Sequence, residues 1–264
     1  MRVDRRRADL LLVERGVCAS RAEAQRLLLA GKVRAAGQRV DKPGALLPAD
    51  TALEVSGPDH PFVSRGGVKL RHALTTFGVQ VRDRVCLDVG ASTGGFTDCL
   101  LQAGARLVVA VDVGYGQLHP RLRQDVRVHV LERTNIRHLE PSRLPATPNL
   151  ATIDASFISL ALVLPPVWRL LGRPCEAVIL VKPQFEVGKG EVGKRGVVRD
   201  PTLHRAVLER VAAFATDLGC GVRGITPSPL LGPMGNREFL MHLTSGATAD
   251  VAALVAQAMA GATD

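Results

Sequence analysis

VCLDVGASTGGF, residues 85–96, decides the fold. An apolar run carrying Asp88 breaks into a turn holding Gly90, Gly94 and Gly95, and a helical pattern starts at Phe96. Strand, glycine-rich turn and helix in that order form the first step of an open α/β sheet, whose ligands gather beyond the carboxyl ends of the strands. The glycines let backbone come close to a ligand. Their spacing is not GxGxxG, which disfavours a dinucleotide, and no GK[ST] ending makes it a P-loop. Taken alone, a tight strand–helix connection explains the turn equally well.

The same pattern repeats downstream. RLVVAVDVG (106–114), LATIDAS (150–156) and AVILVKP (177–183) are apolar runs that each reach a polar residue: Asp112, Asp154 and Lys182. Helical segments lie between them, which is the mark of a parallel sheet covered on both faces. EFLMHL (238–243) alternates and reads as a closing strand, and ATADVAALVAQAMAG (247–261) as a short amphipathic helix.

Residues 1–58 read as a separate small unit, 59–63 as a linker, and 64–264 as the α/β domain. A first helix fits RRADLLLVERG, closing at Gly16. A second starts at Ser20, where Ser20 and Glu23 have capping-box spacing, and ends at Gly31. Short strands punctuated by Gly, Pro and Asp follow. Eleven Lys and Arg against seven Asp and Glu leave this unit at +4. Such clustering suits a phosphate-tracking surface more than a merely solvated face.

The whole chain of 264 residues carries a formal net charge of +9, which points to a polyanionic partner. Five scattered cysteines, without CxxC or metal-ligand spacing, read as reduced thiols of a cytoplasmic protein. The start, MRVDRRRAD, lacks the apolar region of a secretory signal. The apolar stretch ALVLPPVWRLL is too short for a membrane span. The histidines form no cluster, and no metal is expected.

The first unit resembles the S4 RNA-binding domain through LL-x3-G-x3-SRxxAxxLLxxGKV-x3-G-x2-V-x2-P. The resemblance implies RNA contacts through the second helix and its flanking loops. Arg5, Arg6, Arg21, Lys32, Arg34 and Lys42 are the candidates there.

Asp88, Gly90, Ala91, Ser92, Thr93, Gly94, Gly95 and Phe96, with Asp112 placed to accept from ribose hydroxyls, resemble the S-adenosylmethionine site of Rossmann-like methyltransferases. The same resemblance extends the cofactor set to Val113, Asn135 and Asp154.

Lys69, Asp154, Lys182 and Glu238 taken singly are surface residues or halves of salt bridges. As an ordered K-D-K-E set they match the tetrad of the FtsJ-like ribose 2′-O-methyltransferases. With GASTGGF, DVGYGQL, LERTN, SFISL and KPQFEVGKG added, the chain resembles the TlyA (hemolysin A) family of ribosomal RNA cytidine 2′-O-methyltransferases. This implies S-adenosylmethionine as cofactor and rRNA in 30S and 50S subunits as partner. It also implies Lys182 as base, Lys69 as the neighbouring cation, and Asp154 and Glu238 as their orienters. Arg65, the Gly- and Lys-rich loop with Lys189, and Phe157 complete the RNA set. Phe157 reads either as core packing or as a stacking platform for an extruded base. Two rival readings remain: a membrane-acting hemolysin, as the family name suggests, and an RNA-binding protein with an inactive methyltransferase fold. Oligomeric state and exact target nucleotides are not legible.

Overall fold

The computed structural model describes residues 4–262 except 19, 30, 56–59, 189, 194 and 195. The chain divides into two compact units, Met1–Pro61 and Phe62–Asp264.

The first unit opens with a strand, β1 (Arg5–Arg7), paired antiparallel to β4 (Leu46–Pro48). Helix α1 therefore spans Ala8–Glu14, not the earlier start expected from the arginine run. Pairing with β4 holds the arginines extended, with all three side chains exposed. Helix α2 (Arg21–Leu29) starts at Ser20, whose hydroxyl accepts from the Glu23 amide at 3.2 Å. Gly31, with φ +67, donates to Leu28 while Lys32 donates to Leu27, so a left-handed residue closes the helix. Strands β2 (Val33–Ala35), β3 (Gln38–Val40) and β5 (Leu53–Val55) form a small sheet in the order β3-β2-β5. The apolar core here is small: Ala8, Leu12, Cys18, Ala24, Leu28 and Val33.

The second unit contains α3 (Gly66–Phe77), β6 (Val85–Val89), α4 (Gly95–Gln102), β7 (Leu107–Val111), α5 (Pro120–Arg123) and β8 (Val128–Leu131). It continues through β9 (Leu150–Ile153), α6 (Leu160–Leu170), β10 (Glu176–Val181), α7 (Pro183–Glu186) and α8 (Pro201–Asp217). Strands β11 (Gly221–Pro227) and β12 (Phe239–Thr244) and helix α9 (Val251–Ala260) complete it. The sheet order is β11-β12-β10-β9-β6-β7-β8. Strands β6 to β10 run parallel, and β12 is antiparallel to both neighbours. Chain order reverses between β6 and β9, which places a ligand crevice beyond their carboxyl ends.

Successive strand residues face opposite layers. Cys86, Val108, Leu150, Val178 and Leu240 pack toward α3 and α4. Leu87, Val109, Ala151, Ile179 and Met241 pack toward α6, α8 and α9. Helix α6 contains the ALVLPPVW segment and buries Val163, Leu164, Pro166, Val167 and Trp168 of it, leaving Leu162 exposed. Among the described residues, no helix is long and apolar enough to cross a membrane. All five cysteines are buried and unpaired, and burial pushes the Cys86, Cys99 and Cys220 thiols up to about 12.

The sheet differs from the sequence expectation at three strands. EFLMHL is not an edge: β12 lies between β10 and β11, and its first five residues are buried. Strands β8 and β11 have no clear signal in the sequence. The first is a four-residue edge strand, and the second carries two glycines and a proline that read as a loop.

Candidate active site

The turn after β6 sits tightly against the end of β9. Gly90 has φ +83, and a Cβ there would lie 2.5 Å from the Asp154 carbonyl oxygen, so a side chain would force the two strand ends apart. Asp112, just past β7, accepts from the Ser92 amide at 2.8 Å and from the Gly114 amide at 2.7 Å. Each of its oxygens keeps a further lone pair for a ligand hydroxyl.

Two cavities meet at this point. The larger, of about 470 Å³, is lined by Gly90, Ser92, Asp112, Val113, Asn135, Asp154 and Phe157, among others. The smaller, of about 250 Å³, is lined by Arg65, Lys69, Ala91, Thr93, Gly95 and Phe96, and shares Gly90, Ser92 and Asp154 with the first. Asp154 therefore stands where the two join.

Asp88 and Gly94 line neither cavity. Asp88 lies inside β6, one residue before its end, and is fully buried. It accepts from the hydroxyls of Thr97 at 2.6 Å and Thr152 at 3.0 Å. Burial pushes its carboxyl up to about 6, against the lowering effect of those two hydroxyls. Asp88 thus ties β6 to β9 and to the first turn of α4, and this corrects its expected place on the cofactor. Gly94, with φ +98, opens α4; a Cβ there would meet Leu122 at 2.3 Å. Its contribution is conformational.

The K-D-K-E residues come together as two ion pairs. Lys69 on α3 donates to Glu238, just before β12, at 2.5 Å. Lys182, just past β10, lies 2.6 Å from Asp154 and donates to the Ser156 hydroxyl at 2.8 Å. The Lys182–Asp154 contact is close but not aligned as a hydrogen bond, because Asp154 Oδ1 accepts none. Lys182 is 7% exposed and Glu238 1%. Lys69 and Asp154 reach the smaller cavity, while Lys182 and Glu238 stand behind them. Each lysine is paired with a carboxylate of the set, Lys69 with Glu238 and Lys182 with Asp154.

Phe157 is not core. It is 90% exposed, has φ +62, and tilts against Phe185 with ring centroids 5.1 Å apart. A left-handed, exposed phenylalanine at a cavity rim is a strained arrangement of the kind that clusters at binding sites.

Sequence reasoning missed the residue that fixes this loop. Glu186 in α7 accepts from the Ser159 hydroxyl and the Leu160 amide, both at 2.7 Å, and so holds the start of α6. Its position inside the KPQFE run was the available signal. Also missed was Tyr115, which lies under the Arg133 guanidinium at 4.3 Å.

Among the basic candidates, Arg5, Arg34 and Lys42 are exposed, with Arg34 donating to the Gly37 carbonyl at 2.9 Å. Arg6 lies between Asp4 and Glu14. Arg21 donates to buried Asp9 at 2.9 Å and therefore also holds the fold. Lys32 is half-buried next to Gly31. Arg65 is exposed and donates to the Leu231 carbonyl at 3.3 Å. Lys189 lies outside the described residues. No cluster of metal-ligating side chains occurs among the described residues.

A sheet of this order, with a glycine turn after its first strand and an acid after its second, has the fold of S-adenosylmethionine-dependent methyltransferases. A Listeria monocytogenes structure named for that class shares the fold at TM-score 0.52 and 13% identity, over 69% of this chain and 98% of that one. Residues 62–245 match the FtsJ-like methyltransferase family and residues 6–51 match the S4 domain. The chain belongs to the FtsJ-like methyltransferase family, with an S4 domain ahead of the catalytic one. It is 50% identical over 240 residues, 90% of each chain, to the 16S/23S rRNA (cytidine-2′-O)-methyltransferase TlyA of Mycobacterium tuberculosis. A solved Streptococcus thermophilus structure that carries a hemolysin name matches at TM-score 0.77 and 44% identity, over 98% of both chains.

Proposed function

We propose that the chain methylates the ribose 2′-hydroxyl of cytidines in 16S and 23S rRNA, acting on 30S and 50S subunits in the cytoplasm. The observation that carries this reading is the assembly of Lys69–Glu238 and Lys182–Asp154 as ion pairs, both lysines buried, beside the junction of two cavities. The likeness to TlyA supports the RNA and the cytidine.

The larger cavity fits S-adenosylmethionine. The glycine turn clears the backbone, Asp112 retains lone pairs for ribose hydroxyls, and Val113 and Asn135 line the wall. When bound, the cofactor supplies an electrophilic sulfonium methyl that needs no metal. The protein must therefore position a hydroxyl and remove its proton. Lys182 is the proton acceptor in this reading, and Asp154, which lines both cavities, and Ser156 fix its side chain. Lys69, fixed by Glu238, holds the ribose in the smaller cavity. Phe157 stacks on the base once it leaves the duplex. The basic face of the first unit grips phosphates and supplies affinity.

The test is nucleoside mass spectrometry of rRNA after incubating purified subunits with the protein and S-adenosylmethionine. The expected product is 2′-O-methylcytidine. A base-methylated product overturns the assignment.

A further inference from the structure

A concavity larger than either catalytic cavity lies elsewhere in the second unit. A groove of about 700 Å³ runs between α3, β11 and α9. Two guanidiniums line it, those of Arg223 and Arg237. Neither has a hydrogen-bond or ion-pair partner among the described residues. Some arginines of this unit pair with carboxylates, as Arg84, Arg121, Arg123 and Arg127 do, and others such as Arg82, Arg106 and Arg169 stand exposed on their own among the described residues; Arg223 and Arg237 differ in sharing one concavity. Two unpaired arginines in one concavity leave positive charge directed at whatever enters it.

The backbone aims the first of them. The β11–β12 register shifts between Val222 and Gly224, so Arg223 is the extra residue of a bulge on an edge strand. Bulges re-aim a side chain out of the alternation of the strand. The groove wall adds the His72 ring and the Thr226 hydroxyl, 3.3 Å apart, together with Ser228 and Gln257. These are hydrogen-bonding groups suited to phosphate oxygens and ribose.

The groove also adjoins the chemistry. Leu231 lines both this groove and the smaller catalytic cavity. Helix α3 carries Lys69 toward the cavity and, one turn on, His72 toward the groove. Arg237 directly precedes Glu238 in sequence. A ribose held at Lys69 belongs to a polymer whose next phosphates must leave the cavity along some path. A groove that starts at the cavity wall and offers unpaired guanidiniums fits that path better than it fits a free small anion.

We propose that this groove binds the phosphodiester backbone of the substrate RNA next to the reacting nucleotide, through Arg223 and Arg237. The proposal rests on the RNA ribose reading of the active site and adds a second, catalytic-domain contact to the phosphates gripped by the first unit.

The test uses the full chain with Arg223→Ala and Arg237→Ala combined, and purified 30S and 50S subunits. Methyl transfer is measured against subunit concentration over a salt series, with cofactor affinity measured by calorimetry. The expected result is a higher half-saturating subunit concentration and a log–log salt slope smaller by about two, one for each phosphate that the variant no longer neutralises. Turnover at saturation and cofactor affinity stay unchanged, and replacing both arginines by lysine restores most of the slope. An unchanged slope overturns the proposal, whatever happens to affinity, because a packing effect would not move it. A fall in cofactor affinity overturns it too, since the arginines would then support the fold. If the wild-type chain transfers methyl to neither subunit, the functional reading fails by itself. The groove is then judged on the same slope, read by equilibrium binding of the chain to the subunits.

Discussion

Asp9 in the first unit and Asp88 in the second are both fully buried, yet they keep opposite company. Asp9 accepts from Arg7, Gln25 and Arg21, all within about 3 Å, and the hydrogen bonds from Arg7 hold its carboxyl well below the usual carboxylate range. Among the described residues Asp88 meets no cationic partner, only the hydroxyls of Thr97 and Thr152 and the Thr97 amide, and burial pushes it up to about 6. The small unit has few apolar side chains to bury, so an anion ringed by guanidiniums helps organise it, and those same guanidiniums remain about half exposed. The large unit is built from two extensive apolar layers. Its buried lysines are withdrawn from solvent into pairs, which suits the proposed role in chemistry more than docking. On the proposed function, grip and catalysis use the same kind of charge in two degrees of burial.

The sharpest way to break this division is Lys182→Ala. Loss of the proton acceptor lowers turnover by roughly 10²–10⁴-fold. Cofactor affinity stays near wild type, because Lys182 lines neither cavity. If calorimetry shows cofactor affinity collapsing with activity, the Lys182–Asp154 pair is structural and the division is wrong.

Phe157→Ala is the next largest effect. A stacked base is worth about 1–3 kcal/mol, so turnover on subunits drops by roughly tenfold or more with the salt slope of binding unchanged. Because the ring is exposed, the melting temperature of the variant stays close to wild type. A large fall in that temperature would return Phe157 to the core.

Acid should separate the two units. The depressed Asp9 carboxyl contributes stability to the first unit that is fully present above about pH 4, its ordinary unfolded range, and lost as pH falls below it. Asp88 has the opposite sign. Its folded pKa is raised, so its contribution to the second unit is present below about pH 4 and lost as pH rises through about 6. Trp168 is the one tryptophan in the sequence and is buried in the second unit, so its fluorescence follows that unit alone. Hydrogen exchange in α1 and α2 follows the first. On going from pH 6 to pH 3, exchange rises in the first unit before Trp168 fluorescence changes. Simultaneous loss would mean that the two carboxylates do not govern their units separately.

Charge reversal at Arg5 is the smallest effect. Arg5 is exposed, and its replacement by Glu reduces the salt slope by about one to two while leaving turnover at saturation unchanged. Arg21 is a poorer probe than its helix position suggests. A glutamate there would face Asp9 and disturb the fold along with the RNA contact.

Much of the second unit is legible because burial on both faces makes parallel strands read as continuous apolar runs. That logic picks out β6, β7, β9 and β10. It fails for β8, a short edge strand, and for β11, whose glycines and bulge hide its pairing. At the site, spacing and family pattern locate all four members of the tetrad, but not their partners. Which carboxylate reaches which lysine is set by α3 and β12, distant in sequence and joined only by packing. Asp88 misleads because an acid near a strand end reads the same whether it faces a ligand or two threonines. In the first unit, Arg5–Arg7 looks helical by continuity with the leucines after it, and strand pairing with Leu46–Pro48 overrides that local pattern.

The division of labour is tested most directly by comparing the intact chain with residues 62–264 alone. Methyl transfer from tritiated S-adenosylmethionine to separated 30S and 50S subunits is measured over a range of subunit and enzyme concentrations. The shortened protein is expected to keep its cofactor affinity but to transfer far more slowly at low concentration, with a much shallower salt dependence. Full activity of residues 62–264 at low enzyme concentration, with the salt dependence of the intact chain, would contradict that division.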